Sequence, residues 1–424
     1  MNVLWFANTP CGATEKLSPN LYLGGWLKSL EEQLVLSKDI ELSVCFYWEE
    51  DVKPFKFNKT MYYPVTRTRR NTKTGRLINR ILRNDNNKKE TAELVKIIKE
   101  VRPDIIHIHG TEHNYGLIQS HTDIPVIISI QGLLSPFSEM YFSGIPFHTI
   151  NRYEGLKPKL LFRSTRLSYT ELKKRAKKER EILSQVRFII GRTAWDRRIA
   201  GLLAQKSTYY IGNEMLRSSF YQKQWNKSNF GKLLHIVTIM NGDLCKGLET
   251  IVRTAKILCE NKANTFEWTV IGLNENDELP VIIRKWLKAD YLSINIHFRG
   301  LKNEMEVADI LLESDIYCQV SHLENSSNSV CEAMLIGMPV IASFAGGTDS
   351  ILENNKEGIL LQNGDAYSFA GAIFELSKDF TKASEFGANA RKTGLMRHNP
   401  ENIVRKQVEI YNTVIEASGK KNDL

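Results

Sequence analysis

The 424-residue chain contains no apolar run approaching the roughly 18 residues that a membrane span needs. Its first residues, MNVLWFANTP, carry neither a basic region nor a long apolar segment. The expectation is therefore a chain without a secretory signal, cytoplasmic or peripheral at the inner face of the cell membrane. Cysteine is scarce: Cys11, Cys45, Cys245, Cys259, Cys318 and Cys331, with no CxxC pair. That pattern reads as buried reduced thiols, not as a disulfide framework or a zinc site. No GxGxxG follows a strand-like run, which argues against a dinucleotide oxidoreductase, and the absence of GxxxxGK[ST] excludes a P-loop nucleotidase. No nucleic-acid reader motif accompanies the net charge of +9, so no nucleic-acid partner is expected.

What is present is an ordinary globular composition, 42% hydrophobic and 25% charged, in a chain too long for one core. Two domains are expected. The positive excess lies wholly within residues 1–230, and the remainder is net negative. A basic first half points to an anionic partner there, such as an anionic membrane surface.

Both halves alternate strand and helix patterns. NVLWFAN, IELSVCFY, DIIHIHG, PVIISIQG and RFIIGRT read as strands in the first half, with helices at SLEEQLVL and TAELVKIIKEV. LLHIVTI, FEWTVIG, INIHFRG, DIYCQV, PVIAS and GILLQ read as strands in the second, with helices such as GLETIVRTAKILCEN between them. This alternation predicts α/β architecture, two Rossmann-like doubly wound parallel sheets facing a cleft. The expected divisions are 1–220, a polar linker at 221–232, 233–398, and a C-terminal amphipathic helix over 399–424 packing back toward the first domain. Asn399 and Pro400 suit the start of that helix. Two stretches break the pattern: 53–89, rich in Lys, Arg and Asn, and 137–169, which mixes aromatics with basic residues. The run ELKKRAKKERE reads as a strongly basic helix.

The densest signal is the pair Glu324 and Glu332 in SHLENSSNSVCEAMLIGMPVIAS. A strand leads in, small polar residues Asn325–Ser329 follow, and EAMLIG opens a helix stopped by Pro339. Strand, small-residue loop and helix start form a site for an anion at a helix N-terminus, flanked by carboxylates. A nucleotide sugar needs those groups: amides for the diphosphate, carboxylates for hydroxyls. His107, His109, Glu112 and His113 form a second cluster, in which His107 and His109 share a strand face. With His113 the pair could hold a metal or serve structure alone.

These residues resemble the family-4 glycosyltransferases, retaining enzymes with the two-Rossmann GT-B fold. The resemblance rests on Glu324–x7–Glu332 with AMLIGMPVIAS, on GGTDSIL and GILLQNGD, on Gly24-Gly25 before a helix, on RPDIIHIHG with IPVIISIQG, on Lys246-Gly247, and on Gly300 in HFRG. It implies a catalytic set of Glu324, Lys246 and Gln131. Glu332 would hold the ribose, Asn325, Ser326, Ser327, Asn328 and Ser329 the diphosphate, and Asn241, Arg299, Gly300, Gly24 and Gly25 would complete the donor site. His109, Glu112, His113 and Arg192 would face the acceptor, and the resemblance implies that no metal or cofactor is needed. Two positions depart from the family. Asn241 stands where a phosphate-binding arginine is usual, and Gln131 replaces a histidine, so it can donate a hydrogen bond but not carry a proton. The implied reaction is sugar transfer from a nucleotide-diphosphate sugar, expected to be UDP-linked, to a lipid-linked saccharide in surface-polysaccharide synthesis. An epimerase or hydrolase on the same fold, or an inactive ligand-binding relative, is the alternative.

Overall fold

The computed structural model describes residues 1–18, 25–66, 87–160, 164–262 and 265–419. The first sheet is built from β1 Asn2–Ala7, β2 Glu41–Trp48, β3 Phe55–Phe57, β4 Thr60–Thr66, β5 Ile105–His109, β6 Val126–Ser129, β7 Phe188–Gly191 and β8 Thr208–Ile211. Their order is β3-β4-β2-β1-β5-β6-β7-β8. Every neighbouring pair is parallel except the β3–β4 hairpin, which occupies part of the stretch that broke the sequence pattern. β1 shows why the strands read as continuous apolar runs. Val3, Trp5 and Ala7 face one helical layer and Leu4 and Phe6 the other, so both faces are covered.

The second sheet comprises β9 Leu234–Ile239, β10 Phe266–Ile271, β11 Ile296–Phe298, β12 Ile316–Gln319, β13 Val340–Ser343 and β14 Ile359–Leu361. Its order, β11-β10-β9-β12-β13-β14, is wholly parallel. In both sheets the strand order reverses beside the first strand, between β1 and β5 and between β9 and β12. Such switch points open a crevice at the carboxyl ends of the strands, where ligands bind.

Three segments join the halves. The helix Pro400–Gly419 returns to the first domain, where Ile403, Ile410, Tyr411 and Val414 are buried against Val3, Trp5, Leu27 and Leu30. Asn399 starts this helix by accepting from the Asn402 amide at 2.9 Å. The Tyr411 hydroxyl accepts from Trp5 Nε1 at 2.9 Å and lies 2.6 Å from His107 Nδ1. The other ring nitrogen, His107 Nε2, lies 2.6 Å from Ser129 Oγ, so both nitrogens are hydrogen-bonded. His107 is thereby a packed core group, and burial lowers its pKa to about 3.

The second connection comes from the aromatic stretch after β6. Ile145 and Ile150 leave the first domain and are fully buried in the core of the second, beside Leu279, Ile282 and Ile283. The third is the linker. Leu216, Phe220 and Trp225 pack with Val330, Met334 and Met338, so the chain has joined the second domain's core ahead of the expected break at residue 221. Aromatic content concealed this, because Phe220 and Trp225 sit among polar neighbours that show no periodicity.

Candidate functional site

β9 and β12 flank the second switch point, and each sends a reactive residue past its end. After β9 a short turn ends at Gly247, whose φ of 80° starts the helix Leu248–Glu260. A Cβ at Gly247 would lie 2.2 Å from the Val320 carbonyl oxygen, so the glycine lets this turn lie against the end of β12. Lys246, just before it, reaches Glu324 Oε1 at 2.6 Å. The pair is largely buried, with side-chain exposures of 24% and 11%. Burial acts to lower the Lys246 pKa, but the Glu324 carboxylate outweighs it and lifts the ammonium above the ordinary lysine value. Lys246 therefore stays charged at neutral pH.

Glu324 leads into the helix Asn328–Ile336, whose residues Val330–Ile336 are all buried. Glu332 lies one turn in. Its Oε1 accepts from Arg217 Nε at 2.9 Å and pairs with Nη2 at 2.8 Å, while Oε2 has no partner among the described residues. Burial pushes its carboxyl above the usual range, against the pull of Arg217. Asn328 Oδ1, at the first helical residue, is buried and unpartnered. A positive helix end, a charged lysine and a carboxylate with a vacant oxygen thus converge at one switch point.

The small-residue loop is more committed than its sequence suggests. The Asn325 side chain bonds to the first domain: Oδ1 accepts from Thr193 Oγ1 at 2.7 Å, and Nδ2 donates to Asp196 Oδ2 at 2.9 Å and to the Gln131 carbonyl at 3.2 Å. Ser326 Oγ donates to Glu214, and Ser327 and Ser329 hydroxyls lie 3.1 Å apart. Among the described residues, the backbone amides of this loop make no hydrogen bond to the backbone and remain for an anion, together with the Asn328 side chain. Gly346, with a φ of 57°, and Gly347 shape the opposite wall; the Gly347 amide donates to the Glu324 carbonyl at 3.0 Å.

Other sequence-predicted donor residues are placed differently. Asn241 is exposed and folds onto its own turn, its Nδ2 donating to Asp243 at 2.8 Å. Arg299 is exposed beyond the edge strand β11 and makes no ion pair among the described residues, while Gly300 turns with a φ of 64° against Asn274. Arg299 and Gly300 follow β11, which stands two strands from β9 at the edge of the sheet. Gly24 lies outside the described residues, and Gly25 begins the helix Gly25–Leu34 with a φ of 46°.

On the first domain's switch point, Asn8 beyond β1 donates to Glu112 Oε2 beyond β5 at 2.7 Å. Burial raises the Glu112 pKa, with the Asn8 hydrogen bond opposing it. His113 stacks edge-on against Tyr47 and Tyr115. His109 is fully buried between Trp5, Trp26 and His107, and neither ring nitrogen has a partner among the described residues. Burial, His107 and Arg192 hold its pKa well below the ordinary value, so its ring is neutral. Arg192 packs over the Trp26 ring, 4.2 Å from its centroid, and its Nε lies 3.6 Å from Glu214 Oε2. Gln131 Nε2 is buried without a partner among the described residues.

Residues that sequence reasoning missed form the polar joint behind the loop. Buried Glu214 accepts from Ser326 and from the Cys331 thiol, and its carbonyl accepts from His398 Nδ1 at 2.9 Å. Burial acts to raise the Glu214 pKa, yet Arg192, His398 and Arg397 bring it down to about 2. Glu214, Cys331 and His398 place three ligating atoms within 4.8 Å. With Arg192 and Arg397 already facing the carboxylate, the group is an ion-paired joint. His322, two residues before Glu324, bonds Glu249 at 2.5 Å, both buried. Isolated glutamates and histidines in apolar runs carry no sequence signal for such pairings; for Thr193 and Asp196 the local signal is the pattern TAWD, a threonine three residues before an acid, which suits a helix cap.

Residues 222–393 match the family model for glycosyl transferases group 1. The poly(ribitol-phosphate) alpha-N-acetylglucosaminyltransferase of Staphylococcus aureus is 24% identical over 169 residues, 40% of this chain and 33% of that protein. The amylovoran biosynthesis glycosyltransferase AmsK of Erwinia amylovora is 27% identical over 151 residues, 34% of this chain and 36% of that protein. The matched stretch thus spans about a third of each relative's length. The structure of Anabaena HepE in complex with UDP and glucose superposes with a TM-score of 0.63 at 15% identity, covering 96% of this chain and 98% of that one. The likeness establishes the two-domain GT-B fold.

Proposed function

We propose that this chain, whose residues 222–393 form a group 1 glycosyl transferase domain, is a retaining glycosyltransferase that moves a sugar from a UDP-sugar to a hydroxyl of a lipid-linked saccharide during surface-polysaccharide synthesis. The observation that carries this reading is the Lys246–Glu324 pair at the N-terminus of the Asn328–Ile336 helix, with Glu332 one turn inside. Glu332 Oε2 would accept from the ribose diol. Lys246, the helix amides and the Asn328 side chain would take the diphosphate, so that positive charge meets the leaving group as its C1–O bond breaks. Glu324 would accept from the sugar hydroxyls. The acceptor oxygen would bond to C1 on the face the phosphate leaves, and its proton would pass to the departing phosphate oxygen. The neutral His109 and Gln131 could donate or accept hydrogen bonds but need not carry that proton. The charge is met by protein groups, and no metal is invoked.

The UDP preference draws support from the UDP complex of the structurally similar HepE, and the polysaccharide role from the amylovoran relative. The lipid-linked acceptor and peripheral attachment draw on the basic first half. Among the described residues no helix is long and apolar enough to cross a membrane. A thermal-shift panel of UDP, GDP and ADP tests the donor site. UDP at one hundred times its dissociation constant should add about 2.7 kcal/mol of stability. Loss of that stabilisation in none of the Glu332 variants would refute the assignment. Turnover without any acceptor, releasing free or isomerised sugar, would replace transfer by hydrolysis or epimerisation.

A further inference from the structure

We infer that Asn325 is a latch between the two domains, and that the fit of the donor loop depends on the latch being closed; the second half of this statement rests on the donor site proposed above. Asn325 follows Glu324 directly, yet its side chain is buried and faces the other domain. An asparagine side chain offers one acceptor and two donors. Here the acceptor takes the Thr193 hydroxyl, and the amide supplies Asp196 Oδ2 and the Gln131 carbonyl. Thr193 and Asp196 are themselves the two halves of the capping box that starts the helix Ala194–Leu203. That box therefore satisfies its own helix and holds the donor loop of the facing domain.

Two further contacts lie at the same seam. Ser350 Oγ accepts from the Ala194 amide at 3.0 Å, the first amide of that helix. Gly347 lets Thr193 come close, since a Cβ there would fall 2.7 Å from the Thr193 hydroxyl and 2.4 Å from the Asn325 carbonyl oxygen. Parting the domains strips Asn325 of all three partners and frees the loop that carries Glu324. Donor affinity and closure are then coupled, each favouring the other. Asn325 and Asp196 are positioning residues; neither need touch the donor through its side chain.

A charge exchange tests the latch. Asn325→Asp sets a carboxylate against Asp196 and the Gln131 carbonyl. It should raise the radius of gyration of the ligand-free protein in small-angle scattering and weaken UDP binding roughly tenfold, the weight of one buried charge-assisted hydrogen bond. Combining it with Asp196→Asn removes the carboxylate–carboxylate repulsion, while the Gln131 carbonyl and the Arg192 amide still face their changed partners. The double variant should therefore recover part of the native radius and part of the UDP affinity lost in Asn325→Asp. Asn325→Ala, which adds no repulsion, should show the same two changes in smaller degree and stands in if Asn325→Asp does not fold. The latch is refuted if Asn325→Asp and Asn325→Ala keep the native radius, or if the exchange restores nothing. A wild-type chain that binds no UDP would instead refute the donor site, and scattering from the ligand-free variants would still decide the latch.

Discussion

Replacing Glu332 by glutamine should weaken UDP binding about 30-fold while leaving the fold intact. In the native site Oε1 takes both Arg217 contacts, at 2.9 and 2.8 Å, and Oε2 is left for a ligand. A glutamine can keep its carbonyl oxygen toward Arg217, so the guanidinium is not stranded. What is lost is the charged acceptor. Hydrogen bonds to a charged group contribute about 1.5–3 kcal/mol against about 0.5–1.5 for neutral ones, roughly 1 kcal/mol per bond. Two ribose hydroxyls then amount to about 2 kcal/mol, or about 30-fold in affinity. Titration calorimetry with UDP measures this, with pyrophosphate as the ligand that lacks ribose and should bind both proteins alike. Because burial raises the Glu332 pKa, native UDP affinity should also fall as the pH drops toward that raised value, and the glutamine variant should lack this limb. Equal UDP affinity in the two proteins, or an equal loss for pyrophosphate, would refute the ribose assignment.

Lys246→Ala should lower kcat by about 10²–10³ through loss of charge at the leaving group, read by steady-state transfer assays. Glu214→Gln bears on acid stability. The Glu214 pKa is depressed from 4.5 to about 2, so its stabilisation is present above pH 4.5 and fades as the pH falls toward 2. Urea midpoints should show a deficit on the order of 2–3 kcal/mol for the variant at pH 7 that shrinks at pH 3. Tyr411→Phe leaves Trp5 Nε1 and His107 Nδ1 without the hydroxyl between them, and should cost about 1–3 kcal/mol in chemical denaturation without changing UDP affinity.

Much of the architecture was legible because parallel strands covered on both faces must be apolar throughout. NVLWFA and DIYCQV announce themselves by that rule, and the intervening amphipathic runs are the crossover helices. The Glu324–Glu332 segment was legible for a local reason: Glu324, the loop and Glu332 lie within nine residues of one another, and a helix start fixes their relation. Lys246 was reached through its glycine, whose positive φ the turn demands. Less was legible wherever function passed between distant segments. Arg299 and Asn241 seemed candidates by position, but one stands at a sheet edge and the other closes on its own turn.

The sequence by itself determined two parallel-sheet domains, a returning C-terminal helix and a strand, small-residue loop and helix start carrying two carboxylates, since periodicity and short-range spacing are properties of a local chain. Tertiary structure alone decided the partners: Arg217 for Glu332, Tyr411 for His107, and Thr193 with Asp196 for Asn325. Those pairs are separated by 115, 304, 132 and 129 residues. Over such distances hydrogen bonds leave no pattern in sequence, because only the packing of one domain against the other brings donor and acceptor together.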